Sequence, residues 1–480
     1  MDIVTLISNF AGDLIRAEEK FWFHTDRLDD LEKEVREISN RAAADFMGMV
    51  LSAVNEAACN SGARKKIYNI QRHSIRTLIT TVGDVTFTHT LFKNRSTGKH
   101  MHLLDEMIGL PPHERFSGQA EAKLLSEAEV HSYQHAADSL SIGEQKVSKV
   151  AVMEKVHQVT DYLSEEGSTP QKKKKCCEFL YIEADEDHIH RQKQDEKKGC
   201  MIGKLIYLFE RKEDVGSGRR ILISPHYFGG LYAGSNANRM LWESVQKYIE
   251  DHYDTEFLKT VYISGDGGGW IQVAADYIDK GVLVADRFHL MEYIYRVSRL
   301  TLDEKDITAG RFYKYIWKDR LLAAKKLLTR IKNHCGGDKA VEDCRTYLEN
   351  NWEAIQRAYH DKNVFGSSTE AHVSHVYSER MSSRPMGWSE EGTEGMCRLR
   401  CFVRNEGREN IIHLVRYRRE REMQSLRATG TDGMIEEPVV KKRISKERRD
   451  AFAYIEKLQA TIPGMTVKKT LSIREQIGNI

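Results

Sequence analysis

The sequence predicts an α/β protein in which helices are layered on a mixed sheet, and three observations carry that expectation. Three strand-like runs come in succession, "FLYIEADEDHIH", "GKLIYLFERK" and "RILISPHYFGG". The pattern then alternates, with helix "ANRMLWESVQKYIEDHY", strand "TVYISGD", a further helix, and strand "GVLVADRFHLMEYI". Successive strands followed by strands alternating with helices describe an α/β layered domain with a mixed sheet. From Leu290 to about His360 the pattern is almost wholly helical, broken only at "CGGD", residues 335–338.

The elements before this core are legible in order. In the first 65 or so residues, Leu28, Leu31, Val35, Ile38, Ala42 and Met49 recur at three- and four-residue steps, which predicts helix. The stripe serves either as a coiled-coil seam or, as we read it, to pack the helix on its own domain. "IRTLITTVGDVTFTHTLFKN" holds two alternating β-branched runs around Val82-Gly83-Asp84, a hairpin signal. Helical patterning returns at "GQAEAKLLSEAEVHSYQHAADSL". A short helix ending near Leu140, a turn with Gly143, and a second helix capped by Ser148 and running to about Gln158 fit a helix-turn-helix. Its second helix exposes Lys149 and Lys155 as DNA-contacting candidates.

The bulk numbers narrow the class. At 480 residues the chain exceeds a single simple core, so about two to four units are expected. Apolar residues make up 40% and charged residues 30%, and no apolar run reaches the length a membrane helix needs, about 18 residues. "MDIVTLISNFAGDL" lacks a basic leader, so no secretory signal is expected. The eight cysteines show no two-residue gap of a zinc ribbon or redox motif, which predicts reduced thiols in a cytosolic protein. Net charge is only +2, but "QKKKKCC", "VRYRREREM" and "VVKKRISKERRD" are local basic clusters of the kind that meet a polyanion.

The chemistry resides in carboxylates at strand ends. Period-two alternation in "FLYIEADEDHIH" puts Tyr181, Glu183, Asp185 and Asp187 on one face, with Ile182 and Ala184 on the other. So many acids on one sheet face require a cation nearby or an open strand end. Asp266 ends a second strand among glycines and Asp286 ends a third. Ligands to open α/β sheets bind at the carboxyl edge, and oxygen-only ligands favour Mg²⁺ or Mn²⁺. His188 and His190 also permit a zinc reading, but no third ligand cluster stands out. "GDGGGW" lacks the Gly-Lys-Ser/Thr of a phosphate-binding loop. A further acid is found in "FGSSTEAHVSHVYSERMSSRPMGWS", where Glu370 is followed by Arg380 and Arg384 in a polar, basic helical segment suited to a phosphate backbone. Glu379 is the competing acid there.

With "YIEADEDHI", "YISGDGGGWI", "ADRFHLMEYI" and "STEAHVSHVYSERMSSRPMGWS" in this order, the chain resembles the ISLre-type insertion-sequence DDE transposases, with a ribonuclease-H-like core. "LLDEMIGLPPHERFS" and "SYQHAADSL" extend the resemblance to about residues 70–405. It implies Asp185, Asp266 and Glu370 as the catalytic, metal-holding acids, with Asp187, Asp286 and His289 in support. Ala371 stands where the family pattern has glycine, and Asp187 is an alternative first ligand. The implied organisation is an N-terminal helical region 1–68, a hairpin module 69–115 and a helix-turn-helix region 116–168. These precede a core in two parts, 178–290 and 362–405, around an all-helical insertion 291–361, with a basic region 406–480 at the end. The implied activity is cutting of transposon ends and joining of their 3′-hydroxyls to target DNA with two Mg²⁺ or Mn²⁺ ions. The implied partners are terminal inverted repeats, target DNA and at least a second copy of the chain, with no membrane and a cytoplasmic, nucleoid-associated location. Two alternatives stand beside it: an inactive or domesticated DNA-binding derivative, and a metal-dependent nuclease without strand transfer.

Overall fold

The computed structural model describes residues 2–164, 173–193, 199–216, 219–384 and 386–428. Lys172 and the basic segment "VVKKRISKERRD" lie outside the described residues. The chain divides into two compact units, Met1–Lys155 with Ile412–Ile480, and Val156–Ile411.

The first unit begins with α1 (Ile3–Phe23), α2 (Leu28–Asn60) and α3 (Gly62–Ile67). Asp2 caps α1 by accepting from the Thr5 amide at 2.8 Å. The apolar stripe of α2 divides: Ile38 is buried, while Leu28 and Val35 stay exposed. The helix lies directly on the sheet that follows. A Cβ at Gly48 would meet the Thr86 carbonyl oxygen at 2.4 Å, and Asn55 exchanges hydrogen bonds with Thr90 at 2.9 and 3.1 Å. That sheet is the hairpin β1 (Tyr68–Thr80) and β2 (Gly83–Asn94), with the short β3 (His100–Met101) beside β2. The register closes at Thr80 opposite Gly83, so the turn residues are Thr81 and Val82, two positions before the Gly83-Asp84 turn that the sequence signal implies. Gly83 opens β2 at φ +117°, which a side chain would strain.

Four helices follow: α4 (Leu103–Ile108), α5 (Gly118–Val130), α6 (Tyr133–Asp138) and α7 (Lys149–Thr160). Ser148 caps α7, accepting from Ala151 at 3.1 Å. The α6–α7 connection covers residues 139–148, well beyond the 3–4-residue turn, roughly, of a helix-turn-helix.

The second unit is built on a five-stranded mixed sheet. Its strands are β4 (Phe179–His190), β5 (Cys200–Phe209), β8 (His226–Leu231), β9 (Thr260–Gly265) and β10 (Gly281–Ala285), in the spatial order β10-β9-β4-β5-β8. A two-stranded ribbon, β6 (Arg211–Gly216) and β7 (Arg219–Ile223), interrupts the path from β5 to β8. β4, β5 and β8 pair antiparallel, and β9 and β10 run parallel to β4. This is the mixed sheet expected from consecutive strands followed by alternating ones.

The two faces of β4 have opposite characters. Leu180, Ile182 and Ala184 join Ile206 and Leu208 in a core closed by α8 (Gly234–His252) through Leu241, Trp242, Val245 and Ile249. Trp242 is fully buried, and its indole N–H donates to the Trp270 carbonyl at 2.8 Å, so no polar group is stranded. The opposite, polar face of β4 is met by the chain beyond residue 360, as the site geometry shows.

A short α9 (Gly269–Gln272) follows β9, and four helices follow β10: α10 (Arg287–Ser298), α11 (Lys305–Trp317), α12 (Leu321–Cys335) and α13 (Asp338–His360). These four share their own core, including Leu290, Ile294, Phe312, Leu328, Leu348 and Ile355. The break at "CGGD" is real, with Gly336 and Gly337 at φ +74° and +79° between α12 and α13. The unit ends with α14 (Thr369–Val373), a π-type turn over Ser374–Ser378, α15 (Glu379–Met381) and α16 (Glu390–Glu406). The last described helix is α17 (Ile411–Ala428).

Candidate active site

Strand register brings three aspartates side by side. Ala184 of β4 lies opposite Gly265 of β9, and Ala285 of β10 lies opposite the same glycine. Asp185, Asp266 and Asp286 are the next residues on three neighbouring parallel strands. Each is oriented by a backbone amide just downstream. Asp185 Oδ1 accepts from Glu186 N–H at 2.8 Å, Asp266 Oδ1 from Gly268 N–H at 2.7 Å, and Asp286 Oδ1 from Phe288 N–H at 2.8 Å. The last of these is the N-cap of α10, so the buried Asp286 carboxylate is committed to its helix. His289, in the first turn of α10, packs edge-on against the Phe288 ring, with centroids 5.5 Å apart.

The polar face of β4 is met along its length by the returning chain. Tyr181 Oη donates to the Asn363 carbonyl at 2.8 Å. Glu183 Oε2 accepts from Ser368 N–H at 2.8 Å, and from the hydroxyls of Ser368 and Thr369 at 3.2 Å each. Tyr207 Oη also donates to it, and Lys212 Nζ pairs with Oε1 at 2.7 Å. Farther along, Ser382 Oγ lies 3.1 and 2.9 Å from the two oxygens of Asp187. Glu183 is thus an anion at the N-terminus of α14, where free backbone amides and the helix dipole favour negative charge. Lys212 is the cation that so many acids on one face demanded. Burial and the Glu183 charge both push the Tyr207 hydroxyl up, so it stays a donor. Glu370 is the second residue of α14, in the helix that this clamp fastens two positions before Asp185.

Two glycines of "GDGGGW" sit where a side chain would not fit. Gly267 has φ +86°, and a Cβ there would lie 3.2 Å from the Asn351 side chain and from Tyr347 Cε2. Gly265 has the Ala184 carbonyl oxygen 2.8 Å from the Cβ position. Tight chain turning and close packing therefore account for two of them. α13 reaches this loop, where Tyr347 stacks on Tyr293 at 4.4 Å between centroids. Burial, then the Asp286 charge, push the Tyr347 hydroxyl up, and it is buried without a hydrogen-bond partner.

Two of the four expected DNA-contacting side chains are interior. Lys155 is buried, with Nζ 2.6 Å from Glu114 Oε2 and 3.9 Å from Glu121 Oε1. Arg418 and Arg419 pair with the same Glu121 at 2.7 Å each, so part of "VRYRREREM" is core as well. Burial would raise the Glu114 carboxyl, but the charge and hydrogen bond of Lys155, the Arg419 charge and the Phe116 amide together hold the group below its ordinary range. Arg380 is 3% exposed, with its guanidinium 4.8 Å from the Trp388 ring centroid. Both corrections have one cause: a cation on a polar helix reads as solvent-facing unless its distant partners are known. Lys149 and Arg384 are exposed, as expected. Glu379, the competing acid, is exposed and 3.8 Å from His375.

Two features were invisible in the sequence. Glu183 was one acid among three on its strand face, and only the fold reveals its partners. The π-type turn after α14 leaves no compositional trace, yet such turns recur at functional sites.

Fold and site together define a mixed α/β protein in which Asp185, within β4, lies level with Asp266 and Asp286, which directly follow the parallel strands β9 and β10. The chain belongs to the uncharacterised protein family UPF0236, whose model matches residues 21–418. Its relatives include a UPF0236 protein of Caldanaerobacter subterraneus subsp. tengcongensis, 28% identical over 402 residues, spanning 83% of this chain and 82% of that one. A second UPF0236 protein of that organism is 28% identical over 384 residues, 79% of each chain. Among solved structures, the Drosophila P element transposase strand transfer complex is similar over 72% of this chain and 94% of that one, with 8% identity and a TM-score of 0.23. That score is too low to carry any argument. No helix among the described residues is long and apolar enough to cross a membrane.

Proposed function

We propose that this chain is a DDE-type DNA transposase that cuts the ends of a mobile element and joins their 3′-hydroxyls to target DNA. One observation carries the reading. Asp185 and Asp266 follow paired residues on adjacent parallel strands, and the helix bearing Glu370 is fastened to the same strand beside Asp185. The strand order, three antiparallel strands flanked by two parallel ones, supports a ribonuclease-H-like core interrupted by a helical insertion. Asp185 rather than Asp187 is the first acid in this reading, because Asp187 lies two residues past the position level with Asp266 and is engaged by Ser382.

The donor set fits magnesium, or manganese, in that its acids offer oxygen only. Held by Asp185, Asp266 and Glu370, two such ions would supply charge neutralisation at the phosphate and an activated oxygen nucleophile. The chain's own part is positioning. The Glu186 and Gly268 amides fix one oxygen of each aspartate, and the Glu183 clamp holds α14 in place. Lys149 and Arg384 remain the exposed cations offered to DNA, and at least a second copy of the chain would be required to pair two ends. Relatives whose names join eleven, four and two designations agree with a coding sequence repeated within one genome, as transposition would produce.

The test uses labelled terminal-repeat DNA and Mg²⁺. The wild type should give joined product, and Asp266→Asn should abolish joining while leaving the mobility shift nearly intact. Joining by Asp266→Asn would overturn the site. Nicking without joining by the wild type would make the protein a nuclease, and a shift alone would make it a binding protein.

A further inference from the structure

We propose that Glu127, His131 and His135 form a binding site for one zinc ion at the α5–α6 corner of the first unit. The three are four residues apart in "EAEVHSYQH". Glu127 lies in the last turn of α5, His131 is the extended residue ending that helix, and His135 lies on the first turn of α6. Only His131 and the N-cap Ser132 separate the two helices, so one small volume receives side chains from both and from the corner between them.

Their ligand atoms lie within 4.8 Å of one another, and among the described residues this is the one place where three such groups converge. Glu127 Oε2 is 3.9 Å from His131 Nε2 and 4.0 Å from His135 Nε2. Those separations are too long for hydrogen bonds, which reach about 3.2 Å. Bonds of about 2.0–2.2 Å to a tetrahedral ion would set the ligands about 3.4 Å apart, so the exposed side chains need close by only about half an ångström to meet at one ion. The imidazole rings lie 4.4 Å apart, tilted by 53°. Both lie with Nε2 as the nitrogen near the same Glu127 oxygen. Two imidazole nitrogens and one carboxylate oxygen select zinc over the oxygen-seeking magnesium. All three side chains reach solvent, so a fourth position stays open for water or an anion. Bound there, the ion would tie the two helices at their corner, a role separate from the strand-end aspartates.

Calorimetric zinc titration and cobalt absorption, both on the full chain, test this. One zinc should bind, with a cobalt spectrum free of thiolate charge transfer. His131→Ala, His135→Ala and Glu127→Gln should each weaken binding at least about tenfold, and Asp266→Asn should leave it unchanged. Far-ultraviolet circular dichroism checks that each variant is folded, as expected for exposed positions. Zinc should also raise the melting temperature of the wild type and not that of His131→Ala. The proposal falls if the wild type binds no zinc, if the histidine variants bind it as tightly, or if cobalt reports cysteine ligands.

Discussion

Replacing Glu183 with glutamine should unlatch α14 from β4. Glu183 is 4% exposed, and the side chain of its partner Lys212 is likewise 4% exposed. One carboxylate oxygen faces Lys212 at 2.7 Å, and the other faces Ser368 N–H at 2.8 Å together with a group of hydroxyls. Glutamine supplies one oxygen and one NH₂, so either orientation sets donor against donor. With the NH₂ toward Lys212, a buried ammonium loses its anion. With the NH₂ toward α14, the Ser368 amide and the Tyr207 hydroxyl lose their acceptor. Stranding one partner of a buried ion pair costs about 3–5 kcal/mol, a large part of a total stability of roughly 5–15 kcal/mol. Adding Lys212→Met should recover part of the loss, since removing both partners together leaves no orphan charge. Urea denaturation measures the cost, and hydrogen exchange at the Ser368 amide should accelerate about 100-fold. Under the proposed function, strand transfer by the folded variant should require more metal. A stability change below about 1 kcal/mol, with exchange at Ser368 unaltered, would refute the clamp.

Three further outcomes are expected. Lys155→Met should destabilise the protein by about 3–5 kcal/mol in thermal or chemical melts, yet, under the proposed function, leave the salt dependence of DNA binding unchanged. Lys149→Ala should do the reverse, lowering the salt slope by about 1. Gly267→Ala should cost about 1–2 kcal/mol in a melt, because φ there is +86° and Asn351 and Tyr347 leave little room. Acidification should destabilise the second unit through two half-buried imidazoles. Burial, with His252 adding to it, lowers His226 to about 3, and burial lowers His372 to about 4, both from 6.5. A depressed histidine contributes stability that is complete above its unfolded value and lost as pH falls toward the folded one. At pH 5 His226 alone should have cost about 2 kcal/mol. Urea midpoints at pH 7 and 5 should differ less in His226→Phe than in the wild type.

What could be read from the chain depended on how local the cause was. Alternation along "FLYIEADEDHIH" depends only on strand geometry, so its polar face and the need for a cation were legible, as were Asp266 and Asp286 at strand ends and the helical stretch broken at "CGGD", whereas β4 runs on past Asp185 to His190. Lys155 and Arg380 were misread because burial is a property of neighbours. The carboxylates that hold Lys155 also hold Arg418 and Arg419, some 300 residues from Glu121 along the chain. Likewise, Lys212 and Ser368 meet at Glu183 only because β6 and α14 are brought to the same strand. The sequence by itself determined which residues alternate, where strands end, and that acids gather at those ends, since these follow from backbone period and turn chemistry. Only the tertiary structure decided which acids share a register, which carboxylate clamps a helix, and which cations are sealed inside. Those outcomes depend on contacts between distant segments, where a charge is stable in the interior only if its partner arrives with it.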